Sequence, residues 1–255
     1  MSDTISRFSN RVANYVKYRP GYPPQVIDLF KSEISLTPAS VIADIGSGTG
    51  LSTRPFLENG NQVYGVEPNP VMRQAAEDYL KDFPNFISHD GTAENTNLSD
   101  GSVDFVIAAQ AFHWFDPDKT RSEFQRILKP GGYIALIWNE RQLDTTEFLK
   151  QYEALLLKYA TDYDKVRHEN IDQQRLGAFF GADYRRSTFP NEQEFDFQGL
   201  RGRLLSASYM PAEDDPRFSS LENELKELFA KHSENDRIKL LYDTNIYFKQ
   251  YQVWI

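Results

Sequence analysis

Five short runs rich in β-branched and apolar residues, Val41–Ile45, Gln62–Val66, Asn85–His89, Val103–Ala108 and Tyr133–Trp138, are separated by segments of helical period over Leu51–Glu58, Pro70–Leu80 and Thr120–Leu128. Few folds are open to a chain that alternates in this way. The strands run parallel, the crossovers are right-handed, and helices cover the sheet. An α/β, doubly wound, mostly parallel sheet is therefore predicted. A helix over Pro24–Ile34, with Pro at its start and Val26, Ile27, Phe30 and Ile34 on one face, precedes the first strand. Beyond Trp138 the pattern changes to amphipathic helices over Glu147–Tyr159 and Phe218–Phe229. Two extended runs, Tyr184–Phe189 and Asn245–Val253, supply the last strands and bring the sheet to seven. Asp144–Ala182 and Gln198–Lys239 are then helical cap insertions. The expected organisation is an N-terminal arm over 1–23, a core over 24–143, and cap helices with the last two strands over 144–255.

Composition narrows the function. With 255 residues the chain can bury a full core, and with no cysteine it has neither disulfides, thiolate metal ligands nor a cysteine nucleophile. The net charge of −9 opposes phosphate backbones, so nucleic acid is not an expected partner. No apolar stretch approaches a membrane span and the first ten residues contain no apolar signal core, so no membrane association and a cytoplasmic location are expected. His89, His168 and His232 show no ligand spacing, and no metal is expected. The oligomeric state is left open.

The first strand runs into Gly46-Ser47-Gly48-Thr49-Gly50, three glycines at alternate positions ahead of a helix, with Asp44 two residues before the first. A strand–glycine–helix turn lets a ligand approach backbone closely, and dinucleotide sites place their third glycine one residue later. Glu67 closes the second strand in Gly65-Val66-Glu67-Pro68-Asn69, where a carboxylate accepts both ribose hydroxyls of an adenosine-containing ligand. The bland alternative is a turn glycine set beside a solvated acid. Phe112-His113-Trp114-Phe115 follows the fourth strand, at the end of the sheet where open α/β folds bind ligands. Aromatic faces there suit a cation or an uncharged acceptor. The same cluster could equally plug the sheet's end.

These motifs resemble the class I S-adenosylmethionine-dependent methyltransferases, and among them the small-molecule group related to the ubiquinone-biosynthesis and trans-aconitate enzymes. The resemblance rests on Asp44–Gly50, Val66–Met72, Asp104-Phe105-Val106 with Phe112-His113-Trp114, and Leu128-Lys129-Pro130-Gly131-Gly132, the last taken as a turn that reverses the chain into the fifth strand. It implies a Rossmann-like fold and S-adenosyl-L-methionine as cofactor. Gly46, Ser47 and Gly48 would face the methionine part, with Asp44 behind them. Glu67 would take the ribose, Pro68 and Met72 one side of the adenine, and Ala93 the adenine edge. Relatives often carry an acid where this chain has Thr92, and Glu94 is the candidate substitute. Gln110 and Ala111 would lie near the sulfonium. Tyr18-Arg19-Pro20-Gly21-Tyr22-Pro23 looks like the arm of the group, and Arg19 is a candidate partner for the cofactor carboxylate.

Methyl transfer needs alignment and exclusion of water more than acid–base chemistry. His113 is the candidate base, since its ordinary pKa of about 6.5 suits that task. Tyr209, in Ser206-Ala207-Ser208-Tyr209-Met210-Pro211, is the candidate cap of the acceptor pocket, with core packing as the alternative. The predicted function is transfer of a methyl group to a small-molecule acceptor. A nicotinamide-dependent oxidoreductase and a non-catalytic binder on the same fold are the alternatives, the former disfavoured because no Tyr-x-x-x-Lys pair follows the fourth strand.

Overall fold

A computed structural model describes residues 17–161, 173–181, 183–207 and 209–251. In chain order the elements are α1 (Gln25–Ile34), β1 (Val41–Ile45), α2 (Thr53–Glu58), β2 (Gln62–Val66), α3 (Pro70–Tyr79), β3 (Phe86–His89) and β4 (Val103–Ala109). They continue with α4 (Pro117–Ile127), β5 (Leu128–Arg141), α5 (Glu147–Tyr159), α6 (Gln173–Phe180), β6 (Arg185–Phe195), α7 (Phe197–Leu205), α8 (Phe218–His232) and β7 (Ile238–Gln250). The strands form one seven-stranded sheet in the order β3-β2-β1-β4-β5-β7-β6.

Strands β3, β2, β1, β4 and β5 pair in parallel. β7 runs against β5: Tyr251 N–H donates to Gly132 O while Gln142 N–H donates to Leu241 O, so one strand's numbers rise as the other's fall. The sheet is thus mixed and mostly parallel, as expected. Its register aligns Ile45 with Val66 and Val66 with His89, and sets Asp44 opposite Ile107, so the carboxyl ends of four strands finish along one edge.

The chain forms two compact units, one of Gly21–Asn139, Ile171–Phe189 and Thr244–Ile255, the other of Met1–Pro20, Glu140–Asn170 and Pro190–Asp243. In the first, alternate strand residues separate into two apolar layers. Ile42, Ile107, Ala135, Ile137, Ile246 and Phe248 pack with α1 and α2 through Val26, Phe30, Phe56 and Leu57. Ala43, Ile45, Val106, Ala108, Leu136 and Trp138 pack with α4 and α6 through Phe124, Ile127, Leu176 and Phe179. Period-two alternation with apolar residues in both layers is the signature of a sheet covered on each face. The second unit has its own core, in which α5 and α8 interleave Tyr152, Leu156, Leu221 and Leu225.

Three features depart from the sequence-based expectation. Lys129-Pro130-Gly131-Gly132 is not a turn ahead of β5 but part of it: Leu128 pairs with Val103 and Tyr133 with Phe105, so the residues between bulge out of the ladder, with Gly131 at φ 78°. β6 and β7 are longer than expected, β7 starting at Ile238 rather than Asn245. Helices α6 and α7 fall in the two segments expected as helical insertions, where the sequence pattern sets no bounds for them.

Candidate active site

The bend after β1 is pinned by backbone. Gly46 and Ser47 N–H donate to Val66 O at 2.8 and 3.2 Å, and Gly50 N–H to Ser47 O at 2.9 Å. Gly46 has φ 69°, and a Cβ there would stand 2.6 Å from the Ala111 Cβ, so this glycine is required by the close approach of the chain after β4. Gly48, at φ 56°, has open space beside it apart from the Met72 Cε at 3.5 Å.

Two carboxylates flank the bend. Asp44 is fully buried within β1; its Oδ2 accepts from the Ser52 and Thr53 hydroxyls at 2.6 and 2.7 Å, and its Oδ1 meets neither solvent nor partner. Burial pushes its pKa up to about 6, against the hydroxyls that lower it. Glu67 Oε2 accepts the Gly48 N–H at 3.0 Å and Oε1 the Asn69 N–H at 2.9 Å. Each oxygen keeps a further lone pair for an incoming hydroxyl. Burial raises this pKa also, while the two N–H groups oppose it. Asn69 in turn caps α3, accepting from Val71 and Met72 N–H, with Pro70 opening the helix. Arg73 Nη1 holds the Glu67 carbonyl at 2.7 Å. The turn Glu67-Pro68-Asn69 is therefore fixed at both ends, and it brings Pro68 and Met72 beside the glycine bend.

After β3, Thr92 and Asn95 form an isolated bridge, and Thr92 Oγ1 accepts the Asn95 N–H at 3.2 Å. Ala93 is buried between them, and among the described residues nothing takes its N–H. The Glu94 Oε1 accepts the Asp116 N–H at 3.0 Å, so part of its capacity goes to the loop before α4.

Gln110 ends β4 at φ 56°, a left-handed backbone that a non-glycine residue adopts under constraint. Its N–H donates to Ile137 O at 2.9 Å and its Nε2 to Asn139 O at 3.0 Å, leaving Oε1 out of solvent without a partner. Asn139 also ties Gly21 O, at 3.0 Å, and the Thr244 hydroxyl, at 2.6 Å, to the same strand end.

A 3₁₀ turn over Phe112–Trp114 splits the aromatic run. Phe112 is core, packed edge-on to Phe179 at 4.6 Å and against Trp138. Trp114 is 44% exposed, and the His113 ring lies 4.5 Å from it. Phe112 thus plugs the sheet's end, while Trp114 is open to solvent. Arg175 of α6 donates through Nη2 toward the carbonyls of Phe112, His113 and Phe115 at 3.4, 3.5 and 3.1 Å. Burial, helped by that guanidinium, lowers the His113 pKa to about 4. The imidazole is neutral at pH 7 and a weaker proton acceptor than its ordinary value suggested. Nothing in the sequence around Arg175 announces this contact.

Arg19 and Tyr209 belong to the other unit. Arg19 Nη2 donates to Ser206 O at 3.1 Å, and Tyr209 O accepts the Thr161 N–H at 3.1 Å. His168 and Ser208 lie outside the described residues, as do residues 1–16 of the expected arm. Among the described residues no three metal-ligating side chains converge, and no helix is long and apolar enough to cross a membrane.

The methyltransferase domain family matches residues 43–136. An uncharacterized methyltransferase-like protein of Schizosaccharomyces pombe is 30% identical over 94% of this chain and 93% of its own length. An uncharacterized methyltransferase of Mycobacterium tuberculosis is 40% identical over 54% of this chain and 54% of its own, a match that spans about half of either protein. In fold, a candidate type II methyltransferase from Anaeromyxobacter dehalogenans superposes with a TM-score of 0.67 over 91% of this chain and 98% of its own, at 21% identity. The chain belongs to the class I S-adenosylmethionine-dependent methyltransferases, and the oxidoreductase alternative falls. The family implies S-adenosylmethionine as cofactor. The residues present are chemically compatible with it: acceptors at Glu67 suit a diol, orphaned buried oxygens at Asp44 and Gln110 suit a cationic group, and an unused N–H at Ala93 suits a heterocycle edge.

Proposed function

We propose that this chain transfers a methyl group from S-adenosyl-L-methionine to a small-molecule acceptor by in-line displacement in a closed aromatic pocket. The observation that carries the reading is Glu67: both its oxygens are oriented by backbone N–H groups of the glycine bend and the α3 cap, and both keep acceptor capacity. A carboxylate held in this way is pre-organised for a ribose diol. When bound, the cofactor supplies a methyl carbon already activated by positive sulfur.

The chain's own work is to bind and align. Gly46, Ser47 and Gly48 present backbone to the methionine part, and Asp44 gives negative charge behind it. Pro68 and Met72 cover one side of the adenine, Ala93 offers its N–H to the ring edge, and Thr92 or Glu94 meets the amino group. Gln110 and Ala111 border the reacting carbon. His113, neutral at physiological pH, accepts a proton only from an acidic acceptor, because its conjugate acid is unstable in this setting. An acceptor that arrives already ionised needs no base.

Calorimetric titration with S-adenosylmethionine and with NAD tests the reading. S-adenosylmethionine is expected to bind wild type, Gly48→Val and Glu67→Ala to abolish binding, and His113→Ala to retain affinity while slowing transfer. Saturable NAD binding with no response to S-adenosylmethionine overturns it. A screen of metabolite pools for products heavier by one methyl group then identifies the acceptor.

A further inference from the structure

Arg203, on α7 in the unit that does not carry the glycine bend, is only 8% exposed, yet no carboxylate among the described residues reaches it. Its Nε donates to the Tyr242 hydroxyl at 3.2 Å and its Nη1 to the Ser206 hydroxyl at 3.4 Å, both neutral and both long for a charged donor. Nη2 makes no hydrogen bond to the described residues. The Tyr242 hydroxyl donates to Gln193 Oε1 at 2.9 Å, and Ser206 to the Arg203 carbonyl at 2.6 Å, so each hydroxyl offers the cation a neutral lone pair and no charge. Arg141 in the same unit shows the usual solution, since it is as deeply placed and paired with Glu153.

A guanidinium cannot shed its charge, and enclosing one without a counter-ion is unfavourable. A second guanidinium stands close by: Arg19 donates to the carbonyl of Ser206, the residue whose hydroxyl meets Arg203. Two guanidinium groups thus converge on one serine in a chain of net charge −9. The surroundings are phenolic. Tyr152, Tyr209 and Tyr242 lie near enough to act on the charge of Arg203, and the Tyr18 ring packs against Gly202, where a Cβ would collide with it.

We propose that Arg203 is the anchor of a binding site for a small organic carboxylate, whose planar pair of oxygens takes the unused face of the guanidinium while the tyrosines enclose its body. A carboxylate suits the fork geometry and neutralises one charge with one. The ligand is a small carboxylic acid recognised by the residues of this unit alone. The site stands independently of the cofactor reading.

The test uses the full chain at pH 7 with benzoate, succinate, benzamide and inorganic phosphate as probes, followed by calorimetry and thermal unfolding. Benzoate or succinate is expected to bind saturably and raise the unfolding midpoint, with benzamide silent. Arg203→Lys should weaken carboxylate binding at least tenfold and Arg203→Met abolish it, with S-adenosylmethionine affinity unchanged in both. Arg203→Met should also be as stable as wild type or more so, because it removes an unpaired buried charge. If Arg203→Met does not fold, Arg203→Lys alone decides. The proposal is overturned if neither carboxylate binds wild type, if phosphate binds and carboxylates do not, if binding survives both substitutions, or if Arg203→Lys loses S-adenosylmethionine, which would make the anion the cofactor's own carboxylate.

Discussion

Asp44 and His113 respond to burial in opposite senses, because enclosure disfavours whichever form is charged. Asp44 is held at about 6 against an ordinary 3.8, so the folded protein binds this proton more tightly than the unfolded chain. The stability it contributes is complete below about pH 4 and lost as pH rises to about 6, at most about 3 kcal/mol. His113 is depressed from 6.5 to about 4 and contributes in the other direction: its share is present above 6.5 and lost as pH falls toward 4. Urea unfolding of wild type and Asp44→Asn should show a gap in favour of the variant that widens from pH 4 to 6 and is then constant. A gap independent of pH means that Asp44 titrates normally. Two of the bend's three glycines separate stability from binding. Gly46→Ala combines φ 69° with a 2.6 Å collision at Ala111 and should cost about 2–4 kcal/mol. Gly48→Ala meets only the flexible end of Met72 and should cost about 1–2 kcal/mol, while cofactor affinity falls more than stability does.

At the scale of elements, α6 is fastened to the aromatic turn by Arg175, whose Nη2 faces three carbonyls, and to α4 by Arg121, which donates to the Ala178 carbonyl. Arg175→Met should destabilise by about 2 kcal/mol and move the His113 titration upward, read by imidazole NMR, since one of its two depressing influences is gone. An unmoved His113 leaves burial as the sole cause. The bounds of α6 and α7 were not legible beforehand. Phe197-Gln198-Gly199-Leu200-Arg201-Gly202 carries two poor helix formers within two turns, and Gly202 is there because the Tyr18 ring lies against it, a contact no local pattern encodes. β1 and β2, by contrast, end where their apolar runs end, because strands covered on both faces declare their limits by composition. The start of β5 misled for a chemical reason: Pro and two glycines read as a turn, and a bulge uses the same residues. In the site, the glycine bend and Glu67 were visible because backbone geometry and ribose chemistry restrict residue choice. Arg203 was not, since its isolation from acids exists only after folding.

For the whole molecule, cofactor binding and folding are linked. A ligand that binds the folded state alone adds about 2.7 kcal/mol at a hundred times its dissociation constant, so S-adenosylmethionine should raise the unfolding midpoint in a concentration-dependent manner. Absence of any shift at millimolar cofactor opposes the assignment. The strand order has a further consequence for the birth of the protein. β6 borders only β7, and β7 occupies the place between it and β5, although β6 comes earlier in the chain. While the polypeptide is still leaving the ribosome and Ile238–Gln250 has not emerged, β5 exposes an unpaired edge and β6 has no neighbour to join. Nascent chains halted between Phe195 and Ile238 should therefore be the species that chaperones hold and that aggregate first.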